Sequence, residues 1–152
     1  MRWRRVAVIG GVVALAASAS AVGWGLLAYN EVTRVDRSDP QVVTDQFLRA
    51  VFVRKDHPGA ALYTCSDQSQ DDDVWALRSE LDRRESEFKV TVIVSWGAYD
   101  REGNDLRTSL TITANRDGVE QSSSEQVWRF HLVEEDGWRV CGADRVEGTV
   151  PT

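Results

Sequence analysis

Residues 88–96 read FKVTVIVSW and mark the point at which the hydrophobic pattern of the chain changes. Before Phe88, apolar residues recur three or four positions apart, as they do on one face of an α-helix. From residue 90 onward they recur at every second position, which is the period of a β-strand and puts four side chains on one face: Val90, Val92, Val94 and Trp96. Ile93 interrupts the alternation, so both faces are expected to be partly covered there. The chain is therefore predicted to be helical before residue 88 and extended after it.

Three helices are predicted before this strand. The first is capped by Ser38 or Asp39, has Pro40 in its first turn and ends near residues 55–58. The second covers residues 59–65, and the third opens at the acidic run 71–73, whose charges complement a helix N-terminus. The side chains expected to face the core are Val43, Phe47, Ala50, Val51 and Phe52 in the first helix, Ala61, Leu62 and Cys65 in the second, and Val74, Trp75, Leu77 and Leu81 in the third.

Three more strands are predicted after it, separated by turns at residues 100–104, 115–118 and 135–137. A serine-rich stretch at 122–124 lies between the second turn and the third strand. Three helices followed by four antiparallel strands predict an α+β domain, with the helices packed on one face of a curved four-stranded sheet. Its interior is expected to be filled by four tryptophans: Trp75, Trp96, Trp128 and Trp138.

The composition of the chain is that of an ordinary folded protein. Of its 152 residues, 42% are hydrophobic and 28% are charged. The net charge of −6 is unevenly distributed, because residues 1–39 contain five arginines and three acidic residues, a sum of +2, and residues 40–152 therefore carry −8. An acidic domain repels phosphate backbones, which argues against general nucleic-acid binding.

Residues 6–29 contain no charged side chain, and as a helix they would be about 36 Å long, enough to cross a bilayer core of about 30 Å. The arginines at positions 2, 4 and 5 are expected to hold the N-terminus in the cytoplasm. The alternative is a signal peptide cleaved after the small residues 17–19 or 19–21. Either interpretation places the following domain outside the cytoplasm. The predicted parts are a basic cytoplasmic end (1–5), a transmembrane signal-anchor helix (6–29), a stalk (30–39), an extracytoplasmic domain (40–146) and a tail (147–152).

The two cysteines, Cys65 and Cys141, fit an extracytoplasmic compartment, because an oxidising environment permits a disulfide. The two histidines, His57 and His131, show no zinc-type spacing to the cysteines, and the acidic run 71–73 lacks the alternating ligands of a calcium loop. The sequence therefore predicts a bond between Cys65 and Cys141, with no metal site and no cofactor.

The closing segment reads WRFHLV at 128–133 and DGWRV at 136–140, that is, a penultimate strand, a glycine turn and a tryptophan on the last strand. With the helical run 41–87 and the hairpins 89–144, this layout resembles the NTF2-like (cystatin-like) superfamily. It is similar to actinobacterial membrane-anchored types, namely VirB8-type conjugation proteins and Mce-associated membrane proteins. The resemblance implies a cone built from the helices and the curved sheet, and a role in assembling an envelope complex. It carries over no functional residue.

Enzymes of that superfamily place a base inside the cone, and the corresponding candidates here are His131, Asp45, Tyr63 and Tyr99. By alternation His131 lies on the face opposite Trp128, away from the cone. Asp45 is expected at a solvated helix position, and the two tyrosines at the rim or in turns. No activated nucleophile and no glycine-rich phosphate loop is present in the sequence. No catalytic residue is therefore predicted.

The outward face of the sheet is expected to be polar and locally basic within the acidic domain. It carries Arg107, Ser109, Thr111, Arg129, His131 and Arg139. This face is interpreted either as an ordinary solvated surface or as a docking surface. The predicted function is a non-enzymatic scaffold or docking domain at the cytoplasmic membrane, whose partner is an envelope protein or a second copy of the chain. The alternative is a domain that binds a small apolar ligand, or an isomerase- or cyclase-like enzyme that uses the cone.

Overall fold

A computed structural model describes residues 35–66 and 72–146 of the chain. The predicted cytoplasmic end (1–5), transmembrane helix (6–29) and tail (147–152), and residues 30–34 of the stalk, lie outside the described residues. Within the described ranges, no helix has the length and apolar character needed to cross a membrane.

Helix α1 spans Pro40–Leu48 and continues directly into a π-helical segment, Arg49–Arg54. Its cap is Asp39, whose side chain accepts hydrogen bonds from the backbone N–H groups of Gln41 and Val42. The five residues predicted to face the core are buried, as expected: Val43, Phe47, Ala50, Val51 and Phe52. The segment ends at Lys55, which adopts a left-handed conformation with φ of +54°.

Helix α2 is shorter than predicted and begins earlier, at His57–Ala61 rather than 59–65. The Asp56 side chain caps it by accepting a hydrogen bond from the backbone N–H of Gly59 at 3.0 Å. The buried residue is Ala60, whereas Ala61 and Leu62, predicted to face inward, are exposed. The helix cannot include residues 63–65, because their backbone runs beside the last strand of the sheet.

Helix α3 spans Asp72–Phe88, and Lys89, in a left-handed conformation with φ of +53°, ends it. Five strands follow: β1 (Thr91–Trp96), β2 (Asp100–Glu102), β3 (Asp105–Arg116), β4 (Val119–Glu134) and β5 (Trp138–Arg145). The sheet order is β1-β3-β4-β5, and β2 pairs with β3 as well. The molecule is therefore an α+β protein with a curled antiparallel sheet, a shape compatible with a cone.

Two strand predictions were wrong in detail. Asp100–Glu102 pairs with β3, so the sheet has five strands rather than four, and the turn predicted at 100–104 is confined to Gly103 and Asn104. Gly103 has a φ of +64°, which a tight hairpin turn requires and glycine adopts without strain. The serine-rich stretch 122–124 is part of β4, where each serine has a partner in β3. Backbone pairing in the long β3–β4 hairpin extends both strands past their hydrophobic segments.

The core lies between the helices and the inner face of the sheet. Phe47 and Phe130 meet edge to face with ring centroids 6.4 Å apart, and both are fully buried. Of the four tryptophans expected in the interior, only Trp128 is buried; the others lie at the edge of the core: Trp75, Trp96 and Trp138. Ile93 is 53% exposed, so the outer face of β1 is open to solvent at this position.

The chain enters this domain at the β4–β5 turn. The carbonyl of Arg37 accepts a hydrogen bond from the backbone N–H of Trp138 at 2.9 Å, and its guanidinium donates to the carbonyl of Leu62. Gly137 has a φ of +96°, and a Cβ at this position would lie 2.6 Å from the Cβ of Arg37. Glycine is therefore required at this turn, and the end of the predicted stalk, which includes Arg37, is held against this end of the sheet.

Candidate binding surfaces

Five residues of the predicted docking face lie together on the side of the sheet turned away from the helices. We call this set, listed here, the outer face: Arg107, Ser109, Thr111, Arg129 and His131. In β3 these positions alternate with buried ones, and Arg107 lies directly opposite Arg129 in β4. The side chains of Arg107, Arg129 and His131 are 38%, 40% and 52% exposed, so a partner could reach them.

The outer face carries charges of both signs, which corrects the expectation of a locally basic surface. Arg107 pairs with Glu102 at 3.3 Å, and Arg129 with Asp144 at 2.8 Å. The His131 imidazole lies 2.7 Å from the carboxylate of Asp105. Glu102 belongs to β2, Asp105 to the start of β3 and Asp144 to β5. The alternation of residues in β3 and β4 alone did not predict these acidic partners.

The predicted disulfide is confirmed. Cys65 and Cys141 are bonded, with Cα atoms 5.0 Å apart and a separation of 76 positions along the chain. The bond links residues 63–65 to β5, where Thr64 and Val140 form a parallel bridge. Two backbone hydrogen bonds flank it, from Cys65 N–H to the Val140 carbonyl and from Val140 N–H to the Tyr63 carbonyl.

Arg139, the sixth predicted docking residue, is engaged at the edge of the sheet. Its guanidinium donates to the carbonyl of Thr64 and to the carbonyl of Glu135, each at 3.3 Å. These bonds hold the segment that precedes Cys65 against β5. We therefore assign Arg139 to the edge of the sheet and leave it out of the outer face.

The candidate catalytic residues do not converge. His131 is exposed on the outer face, opposite the inner residue Phe130, as the alternation predicted. Tyr63 lies beside β5, through its carbonyl bond to Val140. In the described ranges, no group of three histidine, cysteine or acidic side chains is arranged to hold a metal ion; Asp67 and Asp71 lie outside those ranges.

Asp45 and Tyr99, however, line the same surface pocket in the folded chain. Asp45 accepts a hydrogen bond from the indole N–H of Trp96 at 2.9 Å and pairs with Arg49 at 2.6 Å. It is thus a paired, partly buried carboxylate rather than the solvated residue expected from its helix position. The Tyr99 hydroxyl is buried and finds no hydrogen-bond partner among the described residues. Burial, together with the nearby charge of Asp45, raises the pKa of Tyr99 above its usual value.

An apolar groove lies between the C-terminal half of α3 and the inner faces of β1, β3 and β4. It has a volume of about 360 Å³, at the lower end of the range for small-molecule sites. Its floor is formed by the buried side chains of Leu81, Val92 and Ile112. The rest of the lining consists of Arg84, Phe88, Val90, Ala114, Arg116, Gln121, Ser122 and Ser124. We call this site the α3 groove.

A cluster of four charges joins the end of the π-helical segment to α3. Lys55 Nζ lies 2.6 Å from Glu85 and 3.1 Å from Asp82, and Arg78 lies 2.6 Å from Asp82 and 3.3 Å from Glu85. Burial by itself would raise the pKa of Glu85, but hydrogen bonds from Lys55 and from the backbone N–H of Val92 outweigh it and hold the pKa below its usual range. The cluster is therefore expected to stabilise the fold above the pH at which Glu85 takes up a proton.

We expect the free energy of unfolding to fall as the pH is lowered from about 5 towards 2. The folded pKa of Glu85 lies below the unfolded value of about 4.3, so its stabilising effect is present above that value and is lost as the pH falls through the folded pKa. Glu85→Gln should cost about 1.5–3 kcal/mol at pH 7, the range for hydrogen bonds to charged groups, and should flatten the pH dependence. Urea unfolding of the full chain in a non-ionic detergent, followed by tryptophan fluorescence, measures both effects.

The matched control is Glu87→Gln, because Glu87 is half-exposed and pairs only with Arg83 on the same helix among the described residues. This variant should differ from the wild type by less than about 0.5 kcal/mol. Parallel pH curves for the wild type and Glu85→Gln would contradict the role given to Glu85.

Comparison with known proteins adds no assignment to these surfaces. No protein-family model, no curated protein and no solved structure matches the chain. Function is therefore inferred from the geometry of the outer face, the disulfide and the α3 groove.

Proposed function

We propose that this chain is a non-enzymatic, single-pass membrane protein whose NTF2-like domain docks a partner outside the cytoplasmic membrane, within a cell-envelope complex for transport, secretion or conjugation. The observation that carries the proposal is the outer face. Arg107 and Arg129 are partly exposed and lie side by side on paired strands. Each forms an ion pair with an acidic side chain, Arg107 with Glu102 and Arg129 with Asp144. A rigid surface with charges of both signs favours a specific partner through electrostatic complementarity.

The disulfide supports the proposed compartment. Disulfides persist in secreted and periplasmic proteins and are rare in reducing cytosol. The chain contains two cysteines, and both are used in this one bond. A bond of this kind agrees with a domain that follows an uncleaved anchor at residues 6–29 and with one that follows a cleaved signal peptide.

Charge reversal on the outer face tests the docking function. We expect Arg107→Glu combined with Arg129→Glu to reduce recovery of the partner at least tenfold, because unlike charges across the interface become like charges. The wild-type ion pairs are partly exposed and contribute about 0–1 kcal/mol each, so the variant should still fold. The measurement is affinity purification of the tagged full-length protein from native membranes after mild cross-linking, with quantification of each co-purified protein and of the cross-linked dimer.

The control for charge reversal is Arg83→Glu, since Arg83 is an exposed arginine on α3, on the other side of the sheet. The proposal predicts that this control and the wild type recover the same stoichiometric partner, either an envelope protein or a second copy. Equal recovery by all three proteins, or recovery of the wild type alone without any partner, would contradict the docking function.

A second candidate function, the binding of a small apolar ligand, is favoured by the α3 groove. The groove is open, and its floor is apolar. Among the residues that the structure describes, its lining contains no aspartate, glutamate, histidine, cysteine or tyrosine. A ligand held there meets no acid–base residue of the lining, so the groove favours binding over an isomerase- or cyclase-like reaction.

A further inference from the structure

The mouth of the α3 groove exposes apolar surface that the fold does not cover. Phe88, the last residue of α3, lines the groove and is 53% exposed, although the floor beneath it is buried. Val90 and Ala114 continue the apolar lining and are partly buried. An alkyl chain laid along these side chains would remove apolar surface from water, at about 25 cal/mol for each Å² buried.

Within the described part of the chain, the ionisable side chains that line the groove are two arginines, Arg84 and Arg116. Arg84 forms an ion pair with Glu80, so its charge is compensated. Arg116 donates a hydrogen bond to the carbonyl of Phe88 at 2.6 Å. It forms no ion pair with another of the described residues. A guanidinium has five N–H donors, and this one is placed at the edge of an apolar surface with one donor used on the backbone.

The absence of acidic residues from this lining contrasts with the rest of the domain. Residues 40–152 carry a net charge of −8, yet none of the described residues that line the groove has a carboxylate. A cationic ligand would find no counter-charge in the lining. An anionic group beside Arg116 would find one, and a carboxylate would match the planar guanidinium with two parallel hydrogen bonds.

We propose that the α3 groove, with its volume of about 360 Å³, binds a single-chain anionic amphiphile, namely a medium-chain fatty acid. The alkyl chain lies over Leu81, Val92 and Ile112, and the carboxylate binds Arg116. This inference rests on the second candidate function and names its ligand class.

The groove lies far along β4 from the point at which the described chain enters the domain. Ser122 and Ser124 of β4 line the groove, whereas the chain enters the domain at Arg37, beside the turn that follows Glu134. About twelve residues of β4 separate these places, or roughly 40 Å along the strand at about 3.3 Å per residue. The ligand therefore binds at the end of the sheet remote from Arg37.

Photo-labelling of the full-length chain tests this proposal. The protein is placed in phosphatidylcholine nanodiscs with a twelve-carbon fatty acid that carries a diazirine near its methyl end, and the labelled residues are mapped by mass spectrometry. We expect labelling at Phe88, Val90 and Ala114. Excess dodecanoate should reduce it, whereas dodecanol and dodecyltrimethylammonium at the same concentration should not.

Variants separate the role of the charge from that of the apolar floor. Arg116→Gln should lower groove labelling about tenfold, and Arg116→Lys, which keeps the charge, should restore part of it. The matched control is Arg101→Gln, because Arg101 lies over the ring of Trp138 at the opposite end of the sheet. Its labelling should equal that of the wild type.

The outcomes distinguish the two proposals. In one outcome, dodecanol reduces labelling of the groove as much as dodecanoate does, and Arg116→Gln leaves the labelling unchanged. This result would overturn the anionic ligand but would still support apolar-ligand binding. No labelling at the groove would overturn both.

Discussion

Replacement of both Cys65 and Cys141 by serine is expected to lower the free energy of unfolding by about 4 kcal/mol. The bond closes a loop of 76 residues that contains α3 and strands β1 to β4, so it removes a large amount of chain entropy from the unfolded state. In the folded state it holds residues 63–65 against β5, beside the hydrogen bonds of Val140. Urea unfolding of the full chain, with and without a reducing agent, measures the effect.

The double variant also serves as the control for the reducing agent. Reduction should destabilise the wild type by a similar amount and should leave the double variant unchanged. If the wild type and the double variant unfold at the same urea concentration, the bond does not form in the protein as it is produced, and the proposed oxidising compartment loses its support. Thiol labelling of the denatured, unreduced protein distinguishes these cases, because the bonded form exposes no free thiol.

Replacement of Arg78 by alanine is expected to cost about 3 kcal/mol, at the lower end of the range for breaking a buried ion pair. Arg78 is 4% exposed, and its guanidinium lies between Asp82 and Glu85. Without Arg78, Lys55 is the remaining cation of the cluster beside the carboxylates of Asp82 and Glu85. The loss of the side chain also opens a cavity under α3. The measurement is the same urea unfolding of the full chain at neutral pH.

Two further variants show whether this cost comes from the lost charge or from the lost packing. Arg78→Met keeps most of the side-chain volume. The Nε and Nη1 atoms of Arg78, which this variant removes, have no hydrogen-bond partner among the described residues. Arg78→Met should therefore cost less free energy of unfolding than Arg78→Ala. Arg83→Ala, on the exposed side of α3, should cost less than about 0.5 kcal/mol. Equal small losses at positions 78 and 83 would contradict the buried role of Arg78.

Local patterns predicted the elements of this fold well where the pattern was strong. The change of period at 88–96 separates α3 from β1, and the spacing of Val43 and Phe47 identified the buried face of α1. The short elements were less predictable. Residues 100–102 are charged and read as a turn, yet they form β2, because the long β3 strand offers its backbone groups for pairing.

The residues of the candidate sites were predictable only in part. The alternation of β3 and β4 placed Arg107 and Arg129 on one face, but their acidic partners Glu102 and Asp144 come from other strands. The α3 groove was missed, because its lining comes from one helix and three strands and has no spacing of its own. The sequence did contain one signal, Arg116, a cation at the end of strand β3, most of whose inward residues are apolar.

The amino-acid order alone determined the class of the fold, the extended nature of residues 90 onward and the pairing of two cysteines. Each of these depends on a local period or on a small number of choices. The tertiary structure alone decided that Arg78 is buried, that Asp45 meets Trp96 and that Arg116 stands at an apolar groove. Such contacts join residues far apart in the chain. They depend on strand register, on the register shifts of the β3–β4 and β4–β5 pairs and on how α3 crosses the sheet. A local period does not specify these contacts, because several tertiary arrangements satisfy the same hydrophobic pattern equally well. Side-chain packing determines which of these arrangements is the most stable.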